Sequence, residues 1–139
     1  MLKELIESGF GNRMNLCCSE KILYGANWAY NLQLPPEALK MSAGFGGGMG
    51  KGFTCGGITG GIMVLSALYV KRNNHESSRI RELGQEYIDK FQAALGAVDC
   101  KDLKVKHPPV VEKRQCNIDL ILTTAAGILD EIVEREGLV

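Results

Sequence analysis

Net charge is the first thing this chain lacks. Its 16 Lys and Arg are matched by 16 Asp and Glu. With no excess of basic residues there is no electrostatic footing for nucleic acid or for an acidic membrane surface, so nucleic acid is excluded as an expected partner. No stretch alternates apolar and polar residues for long enough to argue a β-strand. The opening residues, Met1 to Glu7, are charged and amphipathic, without the apolar run of a signal peptide. The expectation is a cytoplasmic, reducing setting, where cysteines serve catalysis, redox sensing or metal binding more often than structural disulfides. Histidine is scarce, with 2 in the chain. His75 sits among Asn and Glu and reads as solvated, and His107 precedes Pro108 and Pro109 in a loop.

One apolar stretch needs a membrane test. Gly52 to Val70 carries no charged residue and is roughly as long as a membrane span. It is nonetheless rich in Gly, Thr and Ser, and no second candidate span exists. The expectation is no membrane insertion and a central helix covered on all sides by other helices.

What is present is helical periodicity in a chain of 139 residues, 45% hydrophobic and 23% charged. These values suit one domain, residues 1–139, with a core that needs no staples. Leu2, Leu5 and Ile6 suit a short first helix ending at Gly9 or Gly11. Asn15 is the expected cap of a second helix to about Leu32, with Cys18, Ile22, Ala26 and Ala29 inward. Pro35-Pro36-Glu37 opens a short helix through about Met41. The glycines from Gly44 to Gly52 oppose regular structure. Thr54 is the expected cap of a helix from about Cys55 to Val70. Ser77 or Ser78 caps the next, whose stripe is Ile80, Leu83, Tyr87, Phe91, Ala94 and Val98. Asp99 caps a short turn at Cys100, and a last helix spans about Gln115 to Glu136. The fold class is all-α: a helical bundle of four main helices with short accessory helices and a Gly-rich loop.

Four of the five cysteines, Cys18, Cys55, Cys100 and Cys116, fall where helices begin. Unpaired N–H groups and the dipole at a helix start favour thiolate, so Cys55, behind a cap and flexible glycines, is expected to be the most acidic and attacking thiol. Short connections make successive helices antiparallel neighbours. Following the chain up and down on that rule returns all four cysteines to one end of the bundle, although they lie 37, 45 and 16 residues apart. Cys17 is expected in core or surface. A Cys17–Cys18 bridge is disfavoured because adjacent helical side chains diverge by about 100°.

The run from Gly44 to Cys55 has the look of a phosphate cradle: glycines, Lys51, then a helix start. The Walker spacing is absent and no strand precedes it, so the nucleotide fingerprints fail. The ordinary reading is a tight crossing beneath other helices. Gly56, Gly57, Gly60 and Gly61 in the following helix point to close helix–helix contact, since each costs roughly 1 kcal/mol of helix propensity against alanine.

Taken together, Cys17-Cys18-Ser19-Glu20, Ala43-Gly44-Phe45-Gly46-Gly47-Gly48-Met49-Gly50, Cys55-Gly56-Gly57-Ile58-Thr59-Gly60, Cys100-Lys101-Asp102-Leu103 and Cys116 resemble the C_GCAxxG_C_C family of redox-active proteins. These are small bacterial and archaeal proteins of about this length. The resemblance implies that Cys18, Cys55, Cys100 and Cys116 are the family's four cysteines and leaves Cys17 as an extra. The chain departs from it in carrying Gly57 where the family has alanine, and Thr54 before Cys55. The family's name rests on its cysteine pattern and supplies no substrate.

Three functional classes stand. The first is thiol–disulfide chemistry, as a thiol–disulfide oxidoreductase acting with a redox partner protein or a small thiol or disulfide. The second is a metal or iron–sulfur site on the same four cysteines, against which the lack of tight C-x-x-C spacings argues. The third is a non-catalytic helical interaction module with structural cysteines. No cofactor is specified by the residues.

Overall fold

A computed structural model of the chain describes residues 1–110 and 116–138. Among these the architecture is all-α, with no strand beyond one isolated bridge. The helices are α1 (Leu2–Glu7), α2 (Cys18–Ala29), α3 (Pro36–Leu39), α4 (Gly56–Tyr69), α5 (Ser78–Leu95), α6 (Cys100–Lys106) and α7 (Ile118–Glu136). The four long ones, α2, α4, α5 and α7, form the bundle. α2 packs on α4, α4 on α5, and α5 on α7, while α1 lies against α7 and α2.

Local chemistry places several boundaries differently from the sequence expectation. Cys17, not Asn15, is the N-cap of α2, and the Glu20 carboxylate takes its N–H at 2.9 Å. Asn15 instead holds a left-handed turn, φ 55°, a conformation Asn tolerates better than most residues. α2 stops at Ala29 rather than near Leu32, with Asn31 left-handed just beyond. α3 ends at Leu39 and continues as a 3-10 segment, Lys40–Phe45. The glycines that follow coil through left-handed residues, Gly47, Gly48, Met49, Gly50 and Gly52. The expected start of the last helix near Gln115 lies outside the described residues; α7 is described from Ile118, where the Asn117 side chain accepts the Leu120 N–H.

Burial follows the helical period. On α5 the buried stripe is Ile80, Leu83, Tyr87, Phe91 and Leu95. Ala94, expected inward, is exposed, and its neighbour Leu95 is buried in its place. Gly96 then ends α5 in the left-handed conformation. α7 buries Ile121, Leu122, Ala125, Leu129, Ile132 and Val133 against the other helices. Asp130 of α7 is also buried. Its carboxylate takes the Leu2 and Lys3 N–H groups, both at 2.9 Å, and the Tyr30 hydroxyl at 2.6 Å, so α7 caps α1. Outside the core, Arg135 and Arg79 pair with Glu86, Glu136 and Glu82 and tie α5 to α7.

Helix α4 explains its own glycines. A Cβ on Gly60 would come within 2.7 Å of the Ser19 carbonyl oxygen of α2, and one on Gly61 would strike the Tyr87 ring of α5. Tyr87 is fully buried and donates its hydroxyl to Gly57 O at 2.7 Å. Close approach on two sides thus offsets the poor helix propensity. The expectation of cover on all sides is corrected: Ala67 is exposed, and Ile62 and Met63 are only half-buried. Among the described residues no helix is long and apolar enough to cross a membrane.

Gly61→Ala is expected to lower the thermal midpoint. Overpacking against Tyr87 costs about 1–3 kcal/mol and outweighs the roughly 1 kcal/mol gained in helix propensity. Gly127→Ala in α7 is the control, since its Cβ would meet only the flexible Lys3 side chain at 3.6 Å. It is expected to raise the midpoint. Thermal unfolding of both variants checks the pair.

Candidate functional site

Two backbone hydrogen bonds begin the site. Cys55 N–H donates to Val98 O at 2.8 Å and Cys100 N–H to Phe53 O at 2.6 Å, with Thr54 bridged antiparallel to Asp99. In this pairing Cys55 and Cys100 alternate with Thr54 and Asp99, and so share a face. Thr54 is therefore spent on the bridge, and Cys55 rather than Thr54 is the N-cap of α4, its Sγ accepting the Gly57 N–H at 3.3 Å. Cys100 is the first residue of α6, Cys18 the first of α2, and Cys116 lies just before the Asn117 cap of α7.

The four sulfur-bearing residues meet. A cavity of about 280 Å³ is lined by Cys18, Cys55, Cys100 and Cys116, closed by Leu16, Leu103, Ile118 and Ile121, with Gly47 at its edge. Cys17, expected in core or surface, lines the same cavity. No disulfide joins these cysteines. Among the described residues that line the cavity, none has a charged side chain. Among the described residues no group of three or more His, Cys, Asp or Glu side chains is arranged to hold one metal ion.

The glycines make room for these sulfurs. A Cβ on Gly46 would sit 2.8 Å from Cys17 Sγ, one on Gly48 2.9 Å from Cys100 Cβ, and one on Gly56 would collide with Cys18 Sγ. The Gly47 and Ser19 backbones favour ionisation of the Cys18 sulfur, against its burial. At Gly57, by contrast, a Cβ would meet Leu122 Cδ2 at 3.3 Å and Cys55 Sγ at 3.6 Å. The alanine that the resemblance has there fits with a small shift of Leu122. The glycine run is thus a tight crossing that seats cysteines.

The expectation that Cys55 is the most acidic thiol is overturned. Its side chain is buried, 5% exposed, and burial pushes the thiol up to about 12. The neighbouring Cys18, Cys100 and Cys116 add to the rise, and the Gly57 N–H opposes it without winning. The helix start contributes one hydrogen bond, whereas removal from water penalises the whole thiolate charge. Cys18 is raised too, by burial first and by Cys17 next.

Residues 16–132, most of the chain, match the model of a family described as Putative redox-active protein (C_GCAxxG_C_C). The chain belongs to this family. Comparison with curated proteins and with solved structures found no match.

Chemically, the site is a set of cysteines in an apolar pocket, with the Gly57 N–H on the Cys55 sulfur. His107 is structural, its Nε2 hydrogen-bonded with Leu95 O at 2.8 Å. Two participants escape local sequence reading: Gly46, whose role is to admit a sulfur from a segment 29 residues away, and Cys17 itself. The signal for Cys17 is its place directly beside Cys18 at a helix start.

The Cys55 thiol is expected to ionise near pH 12 in the folded protein, read as thiolate ultraviolet absorbance lost in Cys55→Ser. The sign for stability follows. In the unfolded chain the thiol ionises near 8.5, so its contribution is full below that pH and is lost as the pH rises towards 12. Ionisation of this thiol at or below pH 8.5 in the folded state contradicts the burial argument.

Proposed function

We propose that the protein carries out thiol–disulfide exchange at the cysteine cavity, cycling between a reduced set of thiols and an internal disulfide that includes Cys55. The observation that carries this reading is the convergence of Cys18, Cys55, Cys100 and Cys116, from four separate helix starts, on one apolar cavity. Both end states suit such a pocket, because a thiol pair and a disulfide are each neutral. Cys18 and Cys100 are the partners for Cys55: Cys18 is the neighbour that most raises its ionisation, and Cys100 is held beside it by the backbone pairing. Cys55, being a poor thiolate, takes the second, resolving step rather than the opening attack. Exchange requires thiolate, so a raised pKa makes the cycle slow at neutral pH and faster in alkali. The co-reactant is a redox partner protein or a small thiol or disulfide, and a reducing cytoplasm fits thiols that must return to the reduced state.

Mild oxidation of anaerobically purified, reduced protein, followed by peptide mapping without reductant and by metal analysis, tests this. The expected product is one internal disulfide that includes Cys55 and is absent from Cys55→Ser. About one equivalent of bound zinc or a coloured cluster, released only when these cysteines are mutated, would replace this reading with the thiolate–metal one.

A further inference from the structure

We propose that Cys17, which lies outside the family's four-cysteine pattern, is the entry thiol of the cavity: it reacts first with a small disulfide from solvent and hands the oxidation to the buried sulfurs. The proposal rests on the exchange reading above.

Position comes first. Cys17 lines the cavity with the other four cysteines, so it is a fifth member of one cluster. It is half-buried, whereas Cys55 and Cys100 are 5% and 9% exposed. Its Sγ lies 3.3 Å from Ser19 Oγ. The single Ser19 hydroxyl proton is committed to Ser42 O at 2.7 Å, so the Cys17 S–H is the donor in that contact. It also contacts the Ala43 carbonyl oxygen at 4.0 Å. Facing it is Gly46, where any side chain would stand 2.8 Å from the sulfur. The glycine lets the loop pass close to the sulfur, which stays half-buried at the cavity.

Of its half-buried rivals, Cys18 packs against Gly56 and is disfavoured as a thiolate by burial. Cys116 lies near Cys55, whose ionisation it raises. Cys17 is also the N-cap of a 12-residue helix, α2, and lines the cavity from that end.

The chemistry balances. Cys17 thiolate attacks RSSR; the R–S–S–R bond breaks, a Cys17–S–S–R bond forms, and RSH leaves with the proton Cys17 gave up. A buried thiol, Cys55 or Cys100, then attacks Cys17 Sγ and releases the second RSH. Exchange with the other buried thiol restores Cys17. In sum, RSSR and two protein thiols give two RSH and one protein disulfide. Cys17 is not a member of the final bridge.

The test uses reduced full-length protein and 2-hydroxyethyl disulfide, with acid quenching at early times and peptide mass mapping. The first mixed disulfide is expected on Cys17. Cys17→Ser is expected to slow formation of the internal bridge by at least about tenfold, since the remaining thiols are less accessible. Its equilibrium midpoint in a dithiothreitol redox buffer is expected to match the native protein, because an entry residue changes the rate and not the end states. A first mixed disulfide on Cys18, Cys55, Cys100 or Cys116, or a native rate in Cys17→Ser, overturns the proposal while leaving the exchange reading intact. A native protein that forms no internal bridge even at equilibrium overturns both.

Discussion

Two short hydrogen bonds, Cys55 N–H to Val98 O and Cys100 N–H to Phe53 O, organise the rest of the site. They join segments 45 residues apart in the sequence and start α4 and α6 side by side. The pairing also fixes which way the two cysteines face, since Thr54 and Asp99 take the opposite side. The glycine loop that leads into Phe53 packs against this pairing. Gly48 passes within reach of the Phe53 backbone, and Gly48 O accepts the Phe53 N–H at 3.1 Å.

The glycines and cysteines are best understood as matched sets. Gly46 admits Cys17, Gly48 admits Cys100, and Gly56 admits Cys18. Each pairing spans the distance between two elements, so neither member makes sense alone. Close packing explains why the cavity is apolar, and burial explains why Cys55 stays protonated. The same burial that gathers the sulfurs thus removes the acidity that a helix start would otherwise confer.

Much of the fold is legible in the chain. Stripes such as Ile80, Leu83, Tyr87 and Phe91 declare α5, and short connections turn successive helices back on one another, which brings the cysteine-bearing starts together. The exact caps are less legible. Asn15 and Thr54 have good capping chemistry, but Asn15 is used for a left-handed turn and Thr54 for the bridge to Asp99. Both outcomes depend on partners distant in sequence. Depth is the least legible property: a local reading sees Cys55 at a helix start but not the layer of Cys18, Gly57 and α7 side chains that excludes water from it. The cap that Asp130 provides for α1 is hidden for the same reason, since it spans nearly the whole chain.

The central claim is that sulfurs remote in sequence share one cavity. Titration of the reduced, folded protein with phenylarsine oxide tests it most directly, because trivalent arsenic binds tightly only where two thiols lie within reach of one atom. The account predicts stoichiometric loss of a thiol pair drawn from the cavity cysteines, reversed by a dithiol and abolished by unfolding the chain before titration. Failure of the folded protein to bind the arsenical, with all five thiols still titrating independently, would contradict the convergence on which the account stands.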